Sequence, residues 1–389
     1  MANSISALNP ENWKPIVQDY LNNMLVAMDI ANTKCVPYLN DGDAVNFPYV
    51  SDVRVQDLVQ GTDLTIDDIS ATQDTLTVDQ SRAVTFQIHP VQEKQAKAKY
   101  GLDLAYQAAY QLRNDIDQAV IVSGVNNAAT ELESAAVTTS ASSIYEYMTE
   151  ARSSLVRANA GDGEHFAVMP PEEVAKLEQS FVANGFVLGD KTLERGFQGS
   201  VNGFKVYASN NTPSQVVLAM GTQPTNGDTF TLFGITWTWV TDGTAANPGE
   251  INIGANVADA KAILKTALNG TTPPSAGDYV QVSTDSRRKL QNAQLEAATF
   301  SGDNMTITAY GRMSPAETFT AAGNVFGDEE TSILFGRSGA ISLGLQMQPE
   351  LYIRDQEANI GKNYITHTLY GVATFERDKQ RLVTLPVVY

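Results

Sequence analysis

The stretch Val84-Thr-Phe-Gln-Ile-His-Pro-Val-Gln-Glu-Lys94 joins two patterns of different period, and the fold is decided at this junction. Its first five residues alternate between apolar and polar, which is typical of a strand. Beyond Pro90, small and apolar residues recur about every 3.5 residues from Ala98 to Ala119, which is typical of a helix. Because Pro90 suits a helix start and Gly124 suits a helix stop, we predict one helix over 91–123, about 50 Å long.

The segment upstream of the junction is acidic but rich in β-branched residues. Ala44–Val50 is strand-like, and Ser51–Asp79 carries seven aspartates and one arginine, a net charge of 1 − 7 = −6. Alternation persists through this segment, so we predict a long two-stranded excursion rather than disorder. An isolated hairpin is marginal in water and needs a surface to lie on, either its own domain or a neighbouring copy.

Composition excludes several classes of protein. The 389 residues include 26 Lys+Arg and 44 Asp+Glu, a net charge of −18, which argues against a chain that mainly binds nucleic acid. A single cysteine, Cys35, excludes an intrachain disulfide framework and a cysteine-based zinc site. The opening residues do not resemble a signal peptide, and no apolar run approaches the roughly 20 residues that span a bilayer. We therefore expect a soluble chain made in a cytoplasm.

Helical and strand patterns alternate along the remaining chain. The spacing predicts an N-terminal helix over 11–29, a helix over 143–158, a strand at 165–169, a helix from Pro170 and a strand at 203–208. Within 214–329 the pattern predicts a hairpin at 228–240 with its turn near Phe233-Gly234, and strands at 250–254, 278–282 and 304–310. It also predicts a helix capped by Asn256 and closed by Asn269-Gly270, and a short helix that contains Arg287, Arg288 and Lys289. This block could fold as a small α/β module inserted in a host domain, and strands return over 330–389.

Catalytic signatures are missing from the sequence. It contains no Walker loop, GxGxxG turn, GxSxG elbow, HExxH pair or EF-hand loop, so we expect no enzyme, no cofactor and no metal. Trp237 and Trp239 share one face of the predicted hairpin. They suit core packing best, and the alternative is a surface platform that stacks on a sugar or a base.

The order of these segments resembles the major capsid protein of a tailed bacteriophage, which has the α+β HK97-type fold. The resemblance is carried by the passage from Val84 to Asp115-Ile-Asp-Gln-Ala-Val120, and by the closing stretch from Arg337-Ser-Gly-Ala-Ile-Ser342 through Tyr352 to 371–384. It covers about 270 residues outside the block 214–329. It is a pattern of order rather than a catalytic signature.

The resemblance implies a domain organisation. It would make 1–43 an N-terminal arm, 44–92 an extended E-loop, 93–139 a peripheral domain with its spine helix, 140–213 the first part of an axial domain, 214–329 an insertion domain and 330–389 the return strands of both domains.

The resemblance also implies a function, which is self-assembly into the hexamers and pentamers of an icosahedral head that encloses double-stranded DNA. Implied partners are other copies of the chain, a separate scaffolding protein, a portal, a decoration or cement protein, and packaged DNA held by weak non-specific contacts. Two alternatives are an encapsulin-like compartment shell and a phage tail or fibre protein that binds carbohydrate through the Trp237/Trp239 hairpin.

Contacts between copies are the candidate site. The hypothesis is that the acidic loop docks on basic positions of a neighbouring copy. Its acidic members are Asp57, Asp63, Asp67, Asp68 and Asp74, and the basic counter-surface comprises Lys94, Lys97, Lys99, Arg377, Lys379 and Arg381. Reversal of Asp67 and Asp68 to lysine should then impair shell assembly without unfolding the monomer.

Overall fold

The computed structural model describes residues 25–39, 42–50, 71–88, 100–183, 200–355 and 362–389, together with scattered positions between 53 and 69. These residues form two compact units. Of the described residues, the first unit comprises those within 30–113 and 339–378, and the second comprises those within 25–29, 114–338 and 379–389.

The elements of the described residues follow one another in mixed order. The helices are α1 (Ala27–Ile30), α2 (Tyr100–Asn127), α3 (Ser143–Arg157), α4 (Pro171–Ala183), α5 (Val257–Asn269), α6 (Thr284–Asn292) and α7 (Glu376–Lys379). The strands are β1 (Ala31–Asn32), β2 (Ala44–Val50), β3 (Ala71–Thr77), β4 (Gln80–Ile88), β5 (Thr130–Glu131), β6 (His165–Met169), β7 (Ser200–Val201), β8 (Phe204–Ala208), β9 (Pro213–Met220), β10 (Thr229–Leu232), β11 (Ile235–Val240), β12 (Glu250–Asn252), β13 (Glu296–Ala297), β14 (Asn304–Tyr310), β15 (Ala316–Glu317), β16 (Asn324–Phe326), β17 (Glu330–Arg337), β18 (Ile341–Asp355), β19 (Lys362–Ala373) and β20 (Leu382–Val388).

The first unit is built on a four-stranded sheet in the order β1-β18-β19-β4. β18 and β19 pair antiparallel over most of their length, and β4 pairs antiparallel with β19. β2 and β3 form a separate antiparallel pair, from Ala44 opposite Thr77 to Val50 opposite Ala71. The predicted excursion is therefore two-stranded only as far as Thr77, because β4 has joined the sheet.

The second unit contains a ten-stranded sheet with the path β13-β14-β9-β17-β6-β8-β7, to which β5, β16 and β20 are attached. Strand β6 is buried at every position, as expected for a strand covered on both faces. The amphipathic helix α3 buries Ile144, Met148, Ala151 and Leu155, which belong to the same apolar cluster as strand residues of this sheet. This cluster is one of two cores in the second unit.

The block 214–329 supplies the other core. Its sheet has the order β12-β11-β10-β15, and its helix α5 is capped by Asn256, which accepts hydrogen bonds from the amides of Ala258 and Asp259. However, β9 begins at Pro213 and β13, β14 and β16 belong to the ten-stranded sheet. The block thus has a core of its own but no sheet boundary at 213/214, and its status as an inserted domain stays a prediction.

Two local predictions differ from the structure. Helix α2 continues through Gly124 to Asn127, whose side-chain amide donates to the carbonyl of Ser123. Its predicted start at Pro90 lies outside the described residues, as does 11–24 of the predicted N-terminal helix. The predicted strand at 278–282 is wrong, because this segment makes only an isolated bridge between Tyr279 and Ile251.

Candidate intersubunit surfaces

The base of the β2–β3 hairpin lies directly on the sheet of the first unit, over two glycines. Gly344 on β18 and Gly371 on β19 are directly opposite each other in the register. A Cβ atom on Gly371 would lie 2.9 Å from the Thr77 carbonyl carbon and 3.0 Å from Val78 Cα. A Cβ atom on Gly344 would lie 2.8 Å from the end of the Leu76 side chain, which is fully buried. The missing side chains therefore allow this close approach.

Aromatic contacts hold the β2–β3 pair further along the strands, at Phe47 opposite Asp74 and at Tyr49 opposite Thr72. The rings of Phe47 and Phe375 lie 5.2 Å apart between centroids. The guanidinium carbon of Arg377 lies 4.9 Å from the centre of the Tyr49 ring, within cation–π distance. Because Phe375 and Arg377 follow β19 in the same unit, the paired strands of the hairpin are held by their own chain.

The outer part of the same excursion exposes apolar side chains. Val55 is 99% exposed and Ile66 is 91% exposed, although both are β-branched aliphatic residues. The other members of this set, each more than half exposed, are Val50, Val53, Leu58 and Ile69. A monomeric protein rarely leaves so many large apolar residues of one segment exposed, so this part of the chain has the composition of a contact surface.

The predicted acidic residues lie at different places along this excursion. Asp57 and Asp63 are exposed, and Asp74 is half-buried on β3 opposite Phe47. Asp67 and Asp68 lie outside the described residues. Docking of these aspartates on a neighbouring copy stays a prediction.

The predicted basic residues divide between the two units. Arg377 is exposed and belongs to the first unit, while Lys379 and Arg381 are half-buried and belong to the second. The backbone carbonyls of Lys379 and Arg381 accept hydrogen bonds from Ala129 and Arg337. The other three predicted members, Lys94, Lys97 and Lys99, lie outside the described residues.

The two tryptophans of the predicted hairpin belong to the core of the block 214–329. Trp237 and Trp239 are 1% and 0% exposed, and Trp237 stacks on Phe230 with ring centroids 5.1 Å apart. The surface platform for a sugar or a base is therefore wrong, and core packing, the favoured interpretation, explains the pattern. A fibre protein that binds carbohydrate through this hairpin loses its proposed site.

Sequence reasoning missed a buried carboxylate on α2. Asp117 is fully buried, and its Oδ1 atom accepts hydrogen bonds of 2.7 Å from the amides of Val26 and Ala27. Its Oδ2 atom accepts from the side-chain amide of Asn211 at 2.7 Å. Burial raises the pKa of this carboxyl, and the three hydrogen bonds oppose that rise. The sequence signal for this burial was the position of Asp117, directly after Ile116 of the apolar stripe.

Two features are absent from the described residues. They contain no group of three or more histidine, cysteine or acidic side chains placed to hold a metal ion. Among these residues no helix is both long and apolar enough to cross a membrane.

Comparison with known proteins shows the fold. No protein-family model matches the chain, and no curated protein sequence matches it. A solved structure from Mycobacterium phage Che8 is similar over 99% of this chain and 98% of that chain, with a TM-score of 0.58 and 15% identity. The capsid structure of the cyanophage P-SCSP1u is similar over 99% of this chain and 94% of that chain, with a TM-score of 0.54 and 12% identity. The mature capsid of bacteriophage PhiM1 is similar over 97% of this chain and 91% of that chain, with a TM-score of 0.53 and 12% identity.

These similarities confirm the predicted fold class. The chain has the α+β HK97-type capsid fold along nearly its whole length. At these identities the likeness carries the fold alone, and the function requires an argument of its own.

Proposed function

We propose that this chain is the major capsid protein of a tailed bacteriophage. The observation that carries the proposal is that the similarity to phage capsid structures spans nearly the full length of both chains. A protein built around a different activity would be expected to add or lose a domain relative to a shell subunit. Here the hairpin, the long helix and the return strands occur together in one chain.

The distribution of exposed apolar surface supports this proposal. The hairpin base is packed on its own chain, whereas the outer residues expose aliphatic side chains. In a closed symmetric assembly each copy contributes one such contact and receives another. Contacts that are individually weak therefore add up over all the copies of the shell. A net charge of −18 per copy repels neighbours, but physiological salt screens this repulsion beyond about 8 Å. Local complementarity therefore decides assembly.

The finer parts of the proposal follow from the same fold. The chain would form hexamers and pentamers of an icosahedral head, act as a structural protein without catalytic activity, and be assembled in the cytoplasm of the host bacterium. Its partners would be a separate scaffolding protein, a portal, a decoration or cement protein and packaged double-stranded DNA. An acidic subunit would hold that DNA weakly, because few phosphates would be gripped by cations.

Negative-stain microscopy of the purified chain, alone and co-expressed with its genomic neighbours, tests the proposal. Closed shells, or rings of five and six copies, are the expected result. A chain that stays monomeric in every condition, including with a co-expressed scaffold, would contradict it. Mass measurement by light scattering on the same samples would separate ordered shells from aggregates.

Within this function, the exposed aspartates would dock on the basic positions of a neighbouring copy. A variant that reverses Asp57 and Asp63 to lysine changes the net charge by +4 at described and exposed positions. The matched control reverses Asp242 and Glu150, which are also exposed and lie in the second unit. We expect loss of shells in the loop variant and normal shells in the control, with unchanged thermal unfolding in both. Normal shells from both variants would refute the docking contact.

A further inference from the structure

A groove of about 720 Å³ lies in the second unit, beside one face of the ten-stranded sheet. Its walls are the C-terminal turns of α2 and the segment 131–136. The opposite face of the same strands packs in the core of the block 214–329 through residues such as Val216 and Ile307. The groove is therefore a fixed feature of a well-packed sheet rather than a gap between loose segments.

The floor of the groove carries a row of polar side chains across four strands. Glu296 on β13 is opposite Thr308 on β14, Thr308 is opposite Gln215 on β9, and Gln215 is opposite Glu330 on β17. Directly opposed residues present their side chains on the same face of a sheet. At about 4.8 Å between neighbouring strands, three spacings separate the two terminal glutamates by about 14 Å.

The charge of the groove has one sign. Glu131 projects from the wall segment, so three glutamates line the groove. Among the lining residues that the structure describes, there is no lysine or arginine. The wall also contributes two apolar side chains, Val122 and Val125 of α2. A ligand that fits this lining carries positive charges on a partly apolar backbone.

Other classes of ligand fit less well. The three glutamates do not form a group that could hold a metal ion. Nucleic acid would bring its phosphates against carboxylates, which is repulsive. An extended polypeptide rises about 3.4 Å per residue, so positions i and i+4 lie on one side and about 14 Å apart. That spacing matches the separation between Glu296 and Glu330 derived from the strand register.

We propose that this groove binds a basic, extended segment of a partner polypeptide. Two cationic side chains of that segment, four residues apart, reach Glu296 and Glu330, and Glu131 faces a third. The apolar side chains of the wall contact the residues between the two cations. The proposal goes beyond shell formation, and it depends only on the surface of the second unit.

Fluorescence anisotropy with the purified full-length chain tests the proposal. The probe is a fluorescein-labelled nonapeptide with lysines at positions 3 and 7, and the comparison peptide has the same composition with its two lysines adjacent. The groove variant combines Glu296→Gln with Glu330→Gln, which retains the acceptor for the 2.6 Å hydrogen bond from Gln215. The matched control combines Glu146→Gln with Glu150→Gln on the exposed face of α3.

The proposal makes three expectations. The spaced peptide binds the unmodified chain more tightly than the adjacent peptide does, the groove variant weakens that binding about tenfold, and the control changes it less than twofold. Equal weakening by both variants would mean that the overall negative charge attracts the peptide, and would overturn the proposal. The proposal would also be overturned if both peptides bound equally well or if neither showed saturable binding. It would be overturned as well if spermidine displaced the spaced peptide at an equal concentration of positive charge. Circular dichroism melts show that each variant is folded.

Discussion

Replacing Gly371 by alanine is the most direct test of how the β2–β3 hairpin is held. The new Cβ atom would lie 2.9 Å from the Thr77 carbonyl carbon and 3.0 Å from Val78 Cα. Both are backbone atoms, which cannot rotate away as the end of a side chain can. The substitution therefore displaces the end of β3 from the sheet of the first unit.

The size of the effect follows from these distances. Ordinary contact begins at 3.4 Å, and the Thr77 carbonyl oxygen lies closer to the new Cβ atom than its carbon does, so the Thr77 backbone must move by more than 3.4 − 2.9 = 0.5 Å. Such overpacking lowers the free energy of unfolding by about 1–3 kcal/mol. The far end of the strand pair, Val50 opposite Ala71, lies six residues from Thr77, about 20 Å at 3.4 Å per residue. A shift at the base is therefore carried to the exposed part of the excursion, and we expect fewer closed shells.

Urea unfolding, followed by circular dichroism, measures the stability change, and electron microscopy counts shells. Gly221→Ala is the matched control, because its Cβ atom would first meet Asp303 at an ordinary 3.5 Å. We expect that control to stay within about 0.5 kcal/mol of the unmodified chain. Gly344→Ala should cost less than Gly371→Ala, because its close neighbours are the ends of leucine side chains. A Gly371→Ala chain with unchanged stability and normal shells would refute the reasoning.

Three further predictions concern the second unit. Asn256→Ala removes the two hydrogen bonds at the start of α5 and should lower the free energy of unfolding by about 1 kcal/mol, whereas Asn256→Ser should restore most of it; thermal denaturation measures both. Because burial raises the pKa of the Asp117 carboxyl in the folded state, the unfolded chain loses that proton first, and stability should fall as pH rises from about 4 through the raised pKa. Urea unfolding at several pH values should show this fall in the unmodified chain relative to Asp117→Asn, and parallel curves would contradict it. Trp237→Ala should cost about 3–5 kcal/mol in urea unfolding because the indole is in the core, and a stability change below about 1 kcal/mol would mean that the ring is not packed there.

Local chemistry explains which elements could be predicted from the sequence. The turn at Phe233-Gly234 was predicted between two alternating runs, and both residues have positive φ angles of 55° and 73°. The helix between Asn256 and Gly270 was predicted from its capping residues, and Gly270 is left-handed with φ of 60°. These signals lie within a few residues of the turn or helix end that they specify, so they can be read from the sequence without knowing which distant segments pair.

Features that depend on distant pairing could not be predicted in the same way. The hydrogen bonds to Asp117 join residues 90 or more positions apart in sequence. The acidic row of the groove joins Glu296 to Glu330 through two other strands whose register no local pattern gives. The pairing of Gly344 with Gly371 could not be predicted for the same reason. A glycine in a strand indicates that another part of the chain approaches closely, but it does not indicate which part.

The contrast between the two ends of the hairpin constrains how a shell of this chain would gain its stability. At the base, contacts such as Phe47 on Phe375 are complete before any second copy arrives. At the outer end, Val55 and Ile66 are in water until a partner covers them, and full burial of one such side chain is worth about 1.5–3 kcal/mol. A rigid base lowers the entropy that is lost when the outer end docks. In such a shell the apolar contact would supply the affinity, and the aspartates of the same segment would select among neighbouring surfaces by charge.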